Sequence, residues 1–143
     1  VPLYFVDPVH RAIGLAHSGW RGTAGRMGEC MLRAMHEAFG TEPEEVCAVI
    51  GPCICQDCYE VSADVAEQFE NYSEAVRAGK EPGKYQLDLR AVNRRILLDA
   101  GVAEERLESH RICTCCNSTE LFSHRASGGR RGNLAAFLGL KED

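Results

Sequence analysis

With 143 residues, 45% apolar and 26% charged, the chain has the make-up of one globular unit, and collagen-like, coiled-coil and strongly disordered classes are excluded. A formal net charge of −5 argues against a protein held to nucleic acid by overall charge, although a local basic patch could still bind a phosphate. Apolar runs such as Cys47-Ala48-Val49-Ile50 are far shorter than the roughly 18 residues that span a bilayer, so no membrane partner is expected. No signal-peptide pattern opens the sequence, and cytoplasm is the expected location.

Leu3-Tyr4-Phe5-Val6 reads as a buried strand stopped by Asp7-Pro8, and Ala12-Ile13-Gly14-Leu15-Ala16 resumes as a second, making a hairpin. From Thr23, a plausible N-cap, the spacing turns helical, with Met27, Cys30, Met31, Ala34 and Ala38 on one face and Gly40 as the stop. A third strand is expected over residues 46–50, ending in Gly51-Pro52. Ser62 can cap a short helix carrying Val65, Ala66 and Phe69, and residues 75–84 read as an exposed connection. Asp88 opens the clearest helix, with Leu89, Val92, Ile96 and Leu97 inward, Arg90, Arg94 and Arg95 largely outward, and Gly101 as terminator. Asn93 lies among the apolar positions, where a buried amide must be hydrogen-bonded, and it is expected to tie down a neighbouring loop. Residues 108–112 and 132–138 read as two more strands. Strands and helices mixed in this order imply an α/β or α+β layered fold.

Eight cysteines without a signal peptide are expected to be thiols. Cys30 and Cys47 read as small buried hydrophobes. Cys55-Gln56-Asp57-Cys58 and Cys113-Thr114-Cys115-Cys116 each contain C-x-x-C, so the two pairs could make a four-thiolate zinc knuckle. The interval between them is much longer than the roughly 15–20 residues of a zinc ribbon, which weakens that reading.

Two segments carry candidate chemistry. His17-Ser18-Gly19-Trp20-Arg21-Gly22-Thr23 sits between a strand and a helix, where glycines allow close approach and a helix starting at Thr23 would offer N–H groups to an anion. Arg21 adds a bidentate donor, and His17 can ligate a metal or move a proton near neutral pH. Trp20 reads as packing before stacking surface. Ser123-His124-Arg125, followed by Gly128-Gly129-Arg130-Arg131-Gly132, combines free backbone N–H groups with basic side chains and so suits phosphate, though such a loop is often merely solvated.

These segments, together with Gly51-Pro52, Cys58-Tyr59-Glu60-Val61, Leu87-Asp88-Leu89-Arg90, Asn93-Arg94-Arg95, Cys113-Thr114 and Phe122-Ser123-His124-Arg125, resemble the YfiH family, also called the polyphenol oxidase or laccase-domain family. The resemblance runs almost end to end. It implies a layered α+β sandwich in which helices flank a mixed sheet. It also implies a purine nucleoside phosphorylase that splits inosine or adenosine with phosphate, with adenosine deaminase and methylthioadenosine phosphorylase side activities. Copper-dependent phenol oxidation and hydrolysis of a peptidoglycan-precursor amide are alternatives within the family, and a non-enzymatic four-cysteine zinc module is the alternative outside it.

The resemblance further implies a metal, zinc or else copper, held by two histidines and a cysteine, with His17 as one ligand and the other two expected upstream of Val1. Residues 1–143 are accordingly expected to be the C-terminal portion of a longer domain. His17 and Arg21 are the expected catalytic residues, and Arg21, Ser123, His124 and Arg125 the expected phosphate and substrate donors. Where relatives often have glycine between Gly51-Pro52 and the Tyr-Glu-Val segment, Cys53, Cys55, Gln56 and Asp57 stand here; the extra thiols put a second metal or a redox role in play, and ordinary variation is the expectation. Oligomeric state is not readable, and a homodimer stays open because a strand edge can pair between chains.

Overall fold

The computed structural model describes residues 1–130 and 132–141. Strands β1 (Pro2–Asp7) and β2 (Ala12–His17) form the expected antiparallel hairpin, with Phe5 opposite Gly14 and Pro2 opposite His17. Period-two alternation buries Leu3, Phe5 and Asp7. Asp7 holds the turn: its Oδ1 accepts the amides of Val9 and His10 at 2.8 and 3.0 Å, and its Oδ2 lies 2.8 Å from His10 Nδ1.

Strand β3 (Cys47–Ile50) pairs antiparallel with β1, giving a sheet whose remaining member is introduced below. A second antiparallel sheet contains β4 (Glu60–Ser62), β5 (Val76–Ala78) and β6 (Lys84–Leu87) in the order β4-β6-β5. Residues 75–84, expected to be an exposed connection, therefore supply a strand. Strand β7 (Leu107–Ser109) lies parallel to β3 and completes the mixed sheet in the order β2-β1-β3-β7. The architecture is the expected α+β layering of helices on a mixed sheet, with the small second sheet added.

The helix expected from Thr23 is two helices, α1 (Trp20–Ala24) and α2 (Met27–Phe39). Arg26 between them is left-handed, with φ of 54°. Gly19, not Thr23, is the N-cap of α1, and Thr23 is fully buried inside it. The break rotates the buried face of α2 to Gly28, Leu32 and Met35, leaving Ala34 and Ala38 exposed. Gly28 permits a close helix approach, since a Cβ there would stand 2.8 Å from Leu97 Cδ2.

Helix α3 (Ala63–Ala66) follows Ser62 and runs on as a 3-10 segment that buries Phe69. Helix α4 (Leu89–Asp99) begins as expected, with the Ala91 amide donating to Asp88 Oδ1 at 3.0 Å. It buries Leu89, Val92, Asn93, Ile96 and Leu97. Two apolar clusters result, one between α2 and the mixed sheet around Leu3, Phe5, Ile50 and Leu97, the other around Phe69, Leu87, Val92 and Ile96.

Other expectations fail. The strand expected over 132–138 does not form, because no neighbour supplies a ladder there; Phe137 stands 85% exposed. Cys47 is exposed and Cys30 half-buried, so neither is a core residue. Among the described residues no helix is long and apolar enough to cross a membrane.

Candidate functional site

The strand directions gather several segments at one end of the mixed sheet. His17 ends β2 opposite Pro2. The Gly51 amide, just beyond β3, donates to the Pro2 carbonyl at 3.0 Å, and the His110 amide, just beyond β7, donates to the Ile50 carbonyl at 2.9 Å. The carboxyl ends of neighbouring parallel strands are where open sheets place ligands. Here those ends carry Gly51-Pro52-Cys53 and the segment leading to Cys113.

His17 is exposed on this rim, with a partly desolvated ring. Burial pushes its imidazole below the ordinary value, so the neutral ring that can bind a metal or accept a proton is favoured. Its Nε2 packs where a side chain on Gly19 would begin, 3.3 Å from that Cβ position. The elbow is fixed from inside. The Ser18 amide donates to the Val1 carbonyl at 2.8 Å, and the Ser18 and Thr23 hydroxyls lie 3.0 Å apart, both buried. Because α1 has five residues, it offers little dipole to an anion, and the charge at this elbow comes from Arg21 instead.

Arg21 and Arg125 each lie over a ring, and the charge of both acts on Tyr59. Arg21 lies over the Trp20 ring at 4.2 Å, and Arg125 lies 5.1 Å from the centroid of Tyr59 while donating to the Glu60 carbonyl at 2.7 Å. Burial pushes the Tyr59 phenol up, and the Arg125 and Arg21 charges oppose it. Trp20 and Tyr59 both rest on the second apolar cluster, so each has a packed side beneath a polar one. Ser123 and His124 are placed differently. Ser123 Oγ accepts the Ala126 amide at 3.3 Å and so shapes its own turn. His124 is exposed beside Gly129, one of two consecutive glycines (φ of 61° and 86°) that let the loop reverse. Arg131 lies outside the described residues.

Arg90, expected to point outward, does not. Its Nε and Nη2 are buried with no hydrogen-bond partner among the described residues, and burial pushes the neighbouring Cys53 thiol up, an effect that the Arg90 charge only partly opposes. The signal for this is present in the spacing, since Arg90 shares a helical face with Asn93 and Leu97.

The two C-x-x-C pairs, whose long interval speaks against a knuckle, meet in space. Parallel pairing of β3 with β7 continues into a bridge between Cys53 and Cys113, with the Thr114 amide donating to the Cys53 carbonyl at 3.2 Å. This sets the two loops side by side. The sulfurs of Cys55, Cys58, Cys113 and Cys116 all lie within 4.8 Å of one another, and together they could bind a metal ion such as zinc. Burial pushes the Cys113 thiol up, yet the Cys116 and Cys55 amides donating to its sulfur at 3.3 and 3.2 Å outweigh it and bring it to about 6. Burial pushes Cys58 up, as do its neighbouring thiols. His17 belongs to no group of three or more metal-capable side chains among the described residues.

Fold and motifs agree with a family assignment. The family described as multi-copper polyphenol oxidoreductase laccase matches over residues 1–141, and the chain belongs to that family. It is 39% identical over 145 residues to the purine nucleoside phosphorylase YlmD of Bacillus subtilis (strain 168), covering 99% of this chain and 52% of the relative. It is 36% identical over 144 residues to the adenosine deaminase RL5 of an unknown prokaryotic organism, covering 98% of this chain and 54% of that protein. The crystal structure of the Bacillus licheniformis hypothetical protein YfiH superposes with a TM-score of 0.84 at 36% identity, over 90% of this chain and 49% of that one. The chain thus spans about half the length of the curated relatives it matches.

Proposed function

We propose that the protein is a purine nucleoside phosphorylase, cleaving inosine or adenosine with phosphate to the free base and ribose 1-phosphate. The observation that carries this is the similarity to relatives named for that activity along nearly the whole chain, including the segments that form the His17 rim and the Arg21–Tyr59–Arg125 cluster. In the reaction a phosphate oxygen forms a bond to C1′ of the ribose while the bond from C1′ to the purine nitrogen breaks, and the departing base takes a proton. Arg21 and Arg125 hold the phosphate dianion as charge-assisted forks, and His124 supplies a further donor from the loop. Ser123 shapes that loop by accepting the Ala126 amide.

By family resemblance His17 contributes to a zinc or copper centre. A second reading, water attack at purine carbon six, is favoured by the relative named adenosine deaminase.

The test is to incubate the whole protein with inosine, with and without phosphate. Hypoxanthine that appears only with phosphate supports phosphorolysis; release at the same rate without phosphate, or none at all, contradicts it. Adenosine in the same assay separates adenine release from conversion to inosine.

A further inference from the structure

We propose that Cys55, Cys58, Cys113 and Cys116 form a closed tetrathiolate zinc site that staples the segment after β7 onto the loop before β4. This goes beyond the nucleoside reading and does not depend on it. The geometry is that of a metal cage. In a tetrahedral zinc site with sulfur at about 2.3 Å, ligand sulfurs stand about 3.8 Å apart. Cys116 Sγ lies 3.5 Å from Cys58 Sγ and 4.0 Å from Cys55 Sγ, and no pair in the group exceeds 4.8 Å.

The backbone supports the same assignment. Each C-x-x-C turn is closed locally: the Cys58 amide donates to the Cys55 carbonyl at 3.1 Å, and the Cys116 amide donates to Cys113 Sγ at 3.3 Å. The Cys55 amide also donates to Cys113 Sγ, across 58 positions of sequence. Amides aimed at a sulfur are the outer shell that orients a thiolate ligand. Thiolate is the donor zinc prefers in closed structural sites, and four of them leave no open position for water, so the role is structural.

The segment after the second cysteine pair has little else to hold it. Beyond Cys113 the described chain forms turns and extended segments without a helix or ladder, and Phe122, Leu134 and Phe137 stand exposed. Its anchors to the rest of the fold include the Cys53–Cys113 bridge and the bond from Arg125 to the Glu60 carbonyl. A zinc ion would cross-link this segment at its root.

The experiment uses the whole protein, purified under reducing conditions from zinc-supplemented culture. Zinc is counted by mass spectrometry, and the metal is then exchanged for cobalt. The expected result is an intense sulfur-to-cobalt charge-transfer absorption with strong tetrahedral visible bands. The Cys58→Ser and Cys116→Ser variants are expected to lose one equivalent of zinc per chain and this spectrum, while His17→Ala keeps the spectrum. Removing zinc from the wild-type protein is expected to speed tryptic cleavage after Arg125 and Arg130 at least tenfold, a readout that needs no variant to fold and no enzymatic activity. Absence of the thiolate signature in the wild-type protein, iron in place of zinc, or a Cys58–Cys116 disulfide after anaerobic purification would each overturn the proposal.

Discussion

Asn93 Nδ2 donates to Thr23 Oγ1 at 2.9 Å across 70 positions of sequence, joining helix α4 to the elbow that carries His17 and Arg21. Both residues are fully buried, and the same amide nitrogen also donates to the Leu89 carbonyl at 2.7 Å. Asn93→Ala leaves the Thr23 hydroxyl without that donor and removes buried contacts, so urea denaturation is expected to show a loss of about 1–3 kcal/mol. Adding Thr23→Val to Asn93→Leu removes both polar partners together and is expected to cost less than the sum of the single changes. Additive costs in that cycle would show that the bond does not couple the two elements.

Asp7 sets an acid limit on stability. Burial alone would push its carboxyl up, but the Thr41 hydroxyl beside it and the His10 and Val9 donors outweigh burial and hold it at about 2, below the ordinary 3.8. A carboxylate whose folded value is depressed adds stability that is fully present above the unfolded value and is lost as pH falls through the folded one. Urea midpoints are therefore expected to drop between about pH 4 and pH 2, and Asp7→Asn to lower stability at neutral pH while flattening that drop. An unchanged acid limb in the variant would show that other carboxylates control it.

Packing between α2 and α4 rests on Gly28. A Cβ at this position would meet Leu97 Cδ2 at 2.8 Å and Cγ at 3.4 Å, and Leu97 is itself buried in the first cluster. Gly28→Val is expected to cost about 1–3 kcal/mol by overpacking, measured as a lowered urea midpoint with an unchanged slope.

Arg21 and Arg125 should act on phosphate more than on nucleoside. Each charge-assisted bond is worth about 1.5–3 kcal/mol, so Arg21→Ala is expected to raise the phosphate KM about ten- to a hundredfold while leaving inosine KM nearly unchanged. Equal effects on both constants would assign Arg21 to holding the elbow, not the anion.

Much of the fold is legible in the sequence because its signals are local. The hairpin, the Asp88 cap and the apolar face of α4 follow from short-range periodicity and capping chemistry. Asn93 is readable too, as a polar residue on an apolar face that must find a partner. What escapes depends on tertiary contact. The break at Arg26, which rotates the face of α2, answers to packing that periodicity does not encode. The grouping of Cys55 and Cys58 with Cys113 and Cys116 is readable as two C-x-x-C pairs, but their convergence across so long an interval depends on the parallel pairing of β3 with β7, which ribbon spacing does not encode. Arg90 misleads because its charge points outward in any pattern, while its helical position beside Asn93 points inward.

The central claim, phosphorolysis supported by the Arg21–Tyr59–Arg125 cluster, is tested most directly by phosphorus NMR of the whole protein turning over inosine in phosphate buffer. A ribose 1-phosphate resonance that grows in step with hypoxanthine, at the expense of inorganic phosphate, is the predicted result. Hypoxanthine released with free ribose while the phosphate signal stays constant would contradict it.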